Sequence, residues 1–151
     1  MLRKFFFFFF LAPAALMLAA QEDSVNISHL SLLFIGDIMG HDEQIASAFN
    51  PGTGNYEYDD VFSYVRDEIS ESDIAIANLE VTLGGSPYKG YPAFSSPASL
   101  AAACSNAGID VLVTANNHSV DRGRKGILST IQRLDSLGIM HTGTFADSAA
   151  R

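Results

Sequence analysis

The residue types best suited to chemistry lie together in one short segment, Ala-Asn-Asn-His-Ser-Val-Asp, at positions 115 to 121. The segment follows an apolar run at positions 109 to 113, which predicts a buried strand. An amide, an imidazole and a carboxylate at a strand end would stand at the edge of a sheet, where open α/β folds keep their ligand sites. Asn117 is therefore a candidate metal ligand, and His118 could coordinate or protonate a leaving group.

The neighbours of this Asn-His pair have predicted roles of their own. Asp121 is predicted to act with His118 at the catalytic centre by holding the imidazole in one tautomer. Alternatively, Asp121 could cap the following helix. Asn116 is predicted to contact substrate. The competing interpretation is a capping Asn-Asn turn that leaves the histidine facing solvent.

Two further strand ends carry polar residues in the same way. Asp37 follows the apolar run at positions 32 to 35 and lies between Gly36 and Gly40, so its carboxylate could enter a cleft while the backbone turns sharply. The alternative is that Asp37 only caps the following helix. His41, in the same loop, could be a second metal ligand or the first-turn residue of a helix at positions 41 to 49.

The third strand end is Asn78-Leu79-Glu80, after the apolar run at positions 74 to 77. From the next strand, Glu80 could bridge or cap a divalent cation bound by Asp37. Asn78 would then contact substrate. Alternatively, Glu80 lies in an exposed loop and Asn78 only makes a turn.

A basic patch formed by Arg122, Arg124 and Lys125 begins the next helical segment, beside Gly123 and Gly126. Fixed guanidinium donors at a helix start suit a phosphate or carboxylate, which makes Arg122 and Arg124 candidate substrate-binding residues. A solvated helix face is the equally open alternative.

These segments need a scaffold that brings the strand ends together. Short apolar runs predict strands at 31 to 36, 74 to 78, 110 to 114 and 139 to 142, and they alternate with segments of helical period. One such stripe contains Val61, Phe62, Val65 and Ile69, a second Leu100, Ala101, Cys104 and Ala107, and a third Ile127, Leu128, Ile131 and Leu134. The alternation predicts an α/β fold with helices packed on a mainly parallel sheet.

The N-terminus is typical of a secretory signal peptide. Arg3 and Lys4 precede an apolar core, and Ala19-Ala20 offers a small-residue exit. We therefore predict a signal peptide at 1 to 20, a linker at 21 to 30 and one domain at 31 to 151, with the protein exported to the periplasm or cell envelope. Because Leu18 is large for its position before the cleavage site, an uncleaved N-terminal anchor stays open.

Charge and cysteine content exclude several classes of function. Without Arg3 and Lys4, 7 basic residues remain of the 9 in the chain, against 17 acidic ones, a formal net charge of −10. This charge opposes binding to nucleic acid or to an anionic membrane unless cations intervene. Cys104 is the only cysteine, so a disulfide framework is excluded, and its helical pattern favours a packing thiol over a nucleophile.

Taken in order, the three motifs resemble the CapA family of bacterial capsule (poly-γ-glutamate) synthesis proteins. The motifs are Gly-Asp-Ile-Met at 36 to 39, Asn-Leu-Glu at 78 to 80 and Ala-Asn-Asn-His-Ser-Val-Asp-Arg-Gly at 115 to 123, followed by His141-Thr142-Gly143. The family is similar in fold to the calcineurin-like metallophosphatases. The resemblance thus implies a layered metallophosphatase-like α/β sandwich, of which this chain would supply the N-terminal part only.

What the resemblance implies about the site can be stated residue by residue. Asp37 looks like the first-strand metal carboxylate, Glu80 like a carboxylate in place of the usual bridging aspartate, and Asn117-His118 like the Asn-His of the phosphatase signature, with His118 as general acid. The cofactor would be a divalent metal ion: Mn, Zn or Fe. The family's later His-rich metal loops have no counterpart before Arg151.

Two functions follow from this resemblance as hypotheses. The first is an exported protein of capsular polymer synthesis or export, able to catalyse metal-assisted hydrolysis of a phosphoester or an amide. The second is a non-enzymatic binding or scaffold subunit that holds an anionic polymer through bridging cations. Expected partners are an anionic capsular polymer or a phosphorylated small substrate, together with membrane-associated capsule synthesis or export proteins, and no nucleic acid.

Overall fold

The computed structural model describes residues 28–151. The predicted signal peptide and most of the linker lie outside the described residues. Within them the elements follow in the order β1 (Leu32–Ile38), α1 (Asp42–Ala48), β2 (Phe49–Asn50), β3 (Asn55–Tyr56), a 3-10 helix (Asp59–Phe62), α2 (Arg66–Ser70), β4 (Ile74–Leu79), α3 (Ser99–Asn106), β5 (Val111–Val113), α4 (Gly123–Leu137) and β6 (Met140–Thr142). No helix among residues 28–151 is both long and apolar enough to cross a membrane.

The central feature is a four-stranded parallel sheet in the order β1-β4-β5-β6, which confirms the predicted α/β class. The parallel strands are added in chain order, so right-handed crossovers carry every connecting helix to the same face of the sheet. On that face Ala75, Ala77, Leu79 and Leu112 are fully buried and belong to the core. The carboxyl ends of the strands consequently meet at one edge, as the motif spacing predicts.

Two of the three predicted stripes form helices, and the predicted burial is matched more closely in α3 than in α4. The α3 stripe is confirmed, since Leu100, Ala101, Cys104 and Ala107 are all buried in the core. In α4 the fully buried positions are Gly126, Thr130 and Leu134, with Ile127, Leu128 and Ile131 half-buried. Thr130 is buried because its hydroxyl accepts a hydrogen bond from Leu83 N at 2.9 Å and donates one to Gly126 O.

The predicted stripe at 61 to 69 is wrong as a single helix. The segment forms the 3-10 helix and the short α2, and only Phe62 and Ile69 are buried. Val61 and Val65 are exposed because the backbone between the two short helices departs from the 3.6-residue period on which the stripe depends.

The start of the sheet is fixed by a polar clamp between Ser31 and Asp73. The Asp73 carboxylate accepts hydrogen bonds from Ser31 N and Ser31 Oγ, both at 2.7 Å, and Ser31 Oγ accepts one from Asp73 N at 2.9 Å. The backbone bond and then the hydroxyl bond lower the pKa of Asp73 below its ordinary value of 3.8.

This lowered pKa predicts an acid-sensitive contribution to stability. Because the folded-state pKa lies below the unfolded one, the contribution is fully present above the ordinary aspartate pKa and is lost as pH falls through the folded pKa. We expect Asp73→Asn to lower the thermal midpoint at neutral pH, with the gap to the wild type closing on acidification. Thermal unfolding across an acid pH series measures this, with the exposed Glu68→Gln as control; a gap independent of pH would refute it.

A long loop, residues 84 to 96, is bound to the start of α1 by a close backbone approach. Gly90 N donates to Asp42 Oδ1 at 2.6 Å. A Cβ added at Gly90 would lie 2.7 Å from Asp42 N and 2.9 Å from His41 Cα, and neither backbone atom can move freely. Glycine is therefore required here by space rather than by backbone conformation.

Gly90→Ala is expected to lower the free energy of unfolding by about 1–3 kcal/mol, because the loop must shift away from α1. The matched control is Gly36→Ala, since nothing lies within 4 Å of a Cβ built at Gly36 and a change within about 0.5 kcal/mol is expected there. Chemical denaturation of both variants tests the contact, and equal stabilities would show that the loop is not held against α1.

Candidate functional site

A register shift in β1 brings the first two predicted site residues together. Leu32 to Ile35 pair in step with β4, but the pairing shifts between Ile35 and Asp37, so that Asp37 aligns with Asn78 and Ile38 with Leu79. An extra residue at this point is a β-bulge, a feature that re-aims side chains next to functional sites. The shift is what places the Asp37 carboxylate beside the Asn78 amide.

Asp37, Asn78 and Glu80 form a compact polar group at the strand ends. Asn78 Nδ2 donates to Asp37 Oδ1 at 2.8 Å and to Glu80 Oε2 at 2.9 Å, so one amide holds both carboxylates. The pKa of Glu80 is raised first by desolvation, then by a hydrogen bond to the Asp37 carboxyl group and by the negative charge of Asp37. Two carboxyl groups in such contact are stable when they share a proton or a cation.

Asn116 joins this group to the Asn-His segment. Its Nδ2 donates to Asn78 Oδ1 at 3.0 Å and to Leu79 O at 2.9 Å, while its Oδ1 accepts the backbone N–H of His118 at 3.0 Å. The Asn116 amide thus uses both ends, and it fixes the β4 and β5 strand ends relative to each other. Asn116, which the sequence predicts to bind substrate, therefore holds β4 on one side and the His118 backbone on the other.

His118 is oriented by Asp121 and Phe94. His118 Nδ1 lies 2.9 Å from Asp121 Oδ2, and the same oxygen accepts the backbone N–H of Phe94 at 2.7 Å. A carboxylate oxygen can only accept hydrogen bonds, so His118 Nδ1 is the ring nitrogen that donates to Asp121 Oδ2. The other ring nitrogen, Nε2, is then left to exchange a proton. The Phe94 ring packs edge-on against the imidazole, with 4.6 Å between ring centroids.

Phe94 also contacts the other histidine of the site. The His41 ring lies 5.1 Å from the Phe94 ring, again edge-on, and His41 is the N-cap residue of α1, with Gln44 Oε1 accepting its backbone N–H at 2.8 Å. Asp37 and His41 line the same cleft, which has a volume of about 340 Å³ and includes Met39 and Leu100 in its wall. Asp37 and His41 therefore belong to the wall of one cleft.

Phe94 is the residue of this site that the sequence does not reveal. It lies in a loop rich in glycine, proline and aromatic residues, where stacking on a ligand and packing under the loop are equally compatible with the pattern. The structure shows packing, since Phe94 is 1% exposed. Its contacts with two histidines distant in sequence arise only from the tertiary fold.

The remaining predicted residues lie around this group. Asn117 is exposed next to His118. Arg122 is half-buried, and its Nη2 donates to Pro87 O at 2.6 Å, which fixes the loop at 84 to 96 to the start of α4. Arg124 is exposed on the first turn of α4. Arg122 therefore has a structural contact in addition to its predicted role in substrate binding.

The donor set determines which metal ion would fit. Among residues 28–151 no three His, Cys, Asp or Glu side chains are grouped closely enough to hold a metal ion. The Asp37 and Glu80 carboxylates, which both accept from the Asn78 amide, do offer two hard oxygen donors, and a bound cation would offset their like charges. Two carboxylates with solvent or substrate oxygens as further ligands suit a hard divalent ion. Asp37 and Glu80 would hold it, with the exposed Asn117 amide as a third candidate ligand.

The strand ends lie within the part of the chain that matches a known protein family. No curated protein matches the chain. The sequence profile of the family described as bacterial capsule synthesis protein PGA_cap matches residues 31–151, which include the whole sheet and every candidate site residue. Its match over more than three quarters of the sequence shows that this chain belongs to the bacterial capsule synthesis protein family PGA_cap.

Proposed function

We propose that the protein is a divalent-metal-dependent hydrolase that acts on a phosphoester or an amide in the synthesis or export of an anionic capsular polymer. The observation that supports the proposal is the pairing of the Asp37 and Glu80 carboxylates on one amide, Asn78 Nδ2, next to the segment that holds the His118–Asp121 pair. Family membership indicates a role connected with capsule synthesis. Export to the periplasm or cell envelope is proposed from the sequence pattern of residues 1 to 20.

In this proposal a divalent ion bound by Asp37 and Glu80 would supply a Lewis acid that polarises a phosphoryl or carbonyl oxygen. His118 supplies proton transfer through Nε2, because its other ring nitrogen, Nδ1, is held by Asp121. Asp121 acts as the residue that fixes the imidazole tautomer and orientation. Asn78 and Asn116 keep the carboxylates and the histidine loop at a fixed separation.

A binding or scaffold role is the second candidate, and a specific observation favours it. Within residues 28–151 the cation-binding groups amount to two paired carboxylates rather than a group of three or more His, Cys, Asp or Glu residues. Such a pair can bridge a cation to the carboxylates of an anionic polymer without any hydrolysis. Exposed Tyr91 in the loop at 84 to 96 offers a further contact surface.

Hydrolysis and polymer binding measured on the same variants separate the two functions. The substrates are a chromogenic phosphodiester and a γ-glutamyl amide, each with Mn²⁺, and the binding probe is poly-γ-glutamate. Under the hydrolase proposal, Mn²⁺-dependent turnover is present in the wild type and falls by at least about 100-fold in the Asp37→Ala, Asn117→Ala double variant. No turnover on either substrate, together with Mn²⁺-dependent polymer binding that the double variant loses, would replace hydrolysis by the scaffold role.

His118→Ala is the variant that isolates the proton-transfer step. It removes the general acid but keeps Asp37 and Glu80, so turnover should fall by about 10²–10⁴-fold while Mn²⁺ binding is retained. Tyr64→Ala is the matched control, because Tyr64 is an exposed ring outside the cleft that Asp37 and His41 line. Equal activity of His118→Ala and the control would exclude His118 as the acid.

A further inference from the structure

A groove among the helices continues the cleft that Asp37 and His41 line. It lies between α1 and the 3-10 helix, and its volume of about 390 Å³ is within the usual range of small-molecule sites, about 300–1,000 Å³. The groove and the cleft share four lining residues, Met39, Gln44, Val61 and Leu100. A molecule bound in the cleft could therefore extend into the groove.

Carboxylates are the charged groups of this groove, which we call the acidic groove. Glu43, Glu57 and Asp60 line it, and none of its lining residues is a Lys, Arg or His. Within residues 28–151 both ion pairs are formed by histidines, and neither pair includes a carboxylate of the groove. The three carboxylates therefore have no cationic partner in the described part of the chain, and their summed negative potential attracts a cation.

The spacing and the walls of the acidic groove favour an organic cation over a metal ion. Among residues 28–151 no three His, Cys, Asp or Glu side chains are grouped closely enough to hold a metal ion, so the three carboxylates are spread along the groove. The wall also contains the apolar side chains of Met39, Val61 and Leu100, which suit a hydrocarbon stem. A primary ammonium group has three hydrogen-bond donors, and on an apolar stem it matches both features.

The Tyr58 hydroxyl is a second, independent feature that points to a ligand. Tyr58 is only 3% exposed, yet it lines the acidic groove, and its hydroxyl has no hydrogen-bond partner among residues 28–151. Burial and then the neighbouring Tyr56 and Tyr88 raise the pKa of Tyr58 to about 12, so the hydroxyl is neutral at physiological pH. Buried polar groups almost always have a partner, and a ligand donor would give this hydroxyl one.

We propose that the acidic groove binds a primary ammonium group, carried on an apolar stem, of the substrate that occupies the adjoining cleft. The three carboxylates supply the negative charge, the apolar wall contacts the stem, and the Tyr58 hydroxyl accepts a hydrogen bond. The anionic part of the substrate stays outside the groove, because the carboxylates repel it. Ammonium binding needs no hydrolysis, and only its assignment to the substrate rests on the proposed function.

Titration of n-hexylamine into the full chain, followed by NMR of the backbone amides of the groove, tests the proposal in the absence of Mn²⁺. The neutral probe with the same stem is n-hexanol. The key variant is Glu43→Gln, Asp60→Asn, and Glu57 is kept because its carboxylate also accepts hydrogen bonds from the neighbouring turn. The matched control is Asp67→Asn, Glu68→Gln, which removes two exposed carboxylates that do not line the groove. Circular dichroism establishes that each variant is folded.

The wild type and the control variant should bind n-hexylamine at least about 10-fold more tightly than n-hexanol, as expected for a few partly screened charge pairs. In the groove variant the preference should fall to about 2-fold or less. Equal affinities of the wild type for the two probes would overturn the proposal. An undiminished preference for the amine in the folded groove variant would overturn it as well.

Tyr58→Phe tests the hydroxyl separately, because it keeps the buried ring. The affinity for n-hexylamine should fall by about 3–10-fold, while the thermal midpoint should not fall, since the hydroxyl has no partner in the fold to lose. A lower midpoint with unchanged affinity would assign the hydroxyl to the packing of the protein and refute its place in the site.

The failure of this proposal can be distinguished from the failure of the proposed hydrolase, because the titrations contain no Mn²⁺ and measure no turnover. Amine binding as expected, with no hydrolysis of either substrate, would support the ammonium site and refute only the hydrolase. Hydrolysis without any preference for the amine would refute the ammonium site and leave the hydrolase in place.

Discussion

Replacing Phe94 with alanine is expected to lower the free energy of unfolding by about 3–5 kcal/mol, the largest effect of any single substitution in the site. Phe94 is almost wholly buried, and its ring packs edge-on against both His41 and His118. Alanine would leave a cavity between the loop at 84 to 96 and the strand ends. The imidazole of His118 would then lose the surface that limits its rotation.

Urea denaturation measures the stability loss, and NMR of the His118 ring reports its orientation. Phe94→Leu is the matched control, because it keeps most of the apolar volume and should cost under about 1.5 kcal/mol while still removing the edge-on ring contacts. A loss of less than about 1 kcal/mol in Phe94→Ala would mean that the loop does not pack as described.

Asn116→Ala is expected to separate the two halves of the site. The substitution leaves Asn78 Oδ1, Leu79 O and His118 N without their present partners, at a cost of about 1–3 kcal/mol in stability. Since Asn78 holds both carboxylates and would lose its own support, cation affinity should fall by about 10–100-fold.

Asn106→Ala provides the comparison for this effect. Asn106 is an exposed asparagine with a single side-chain hydrogen bond, to Asp59, at the end of α3. Its replacement should change stability by no more than about 0.5 kcal/mol and leave cation affinity unchanged. If the two variants behaved alike in calorimetric titrations with Mn²⁺, the Asn116 amide would have no part in organising the site.

The scaffold of the site could be predicted from the sequence because its signals are local. Apolar runs ending in glycine or polar residues place β1, β4 and β5, and parallel pairing then brings their carboxyl ends to one edge. The α3 stripe is likewise confirmed because it continues for two full turns. Gly138 ends α4 with a positive φ of 68°, a conformation that glycine adopts readily.

Other features depend on contacts between distant residues, which no local pattern contains. The bulge between Ile35 and Asp37 decides which side chain faces Asn78, and a shift of one residue in a strand leaves the composition unchanged. Asp121 Oδ2 contacts both His118 and Phe94, and Phe94 lies 27 residues away from Asp121 in the sequence, in the loop at 84 to 96. The helical stripe at 61 to 69 is wrong because the apolar spacing does not reveal the break between the 3-10 helix and α2, which leaves Val61 and Val65 exposed.

We expect a divalent cation to bind between Asp37 and Glu80, at the ends of β1 and β4. Isothermal titration of Mn²⁺ into the wild type, Asp37→Asn and Glu80→Gln tests it most directly, with Asp67→Asn as a control for loss of an exposed carboxylate. We expect one Mn²⁺ per chain in the wild type and in Asp67→Asn, and an affinity lower by at least about 100-fold in each site variant. Absence of binding to the wild type, or equal binding in all four proteins, would contradict it.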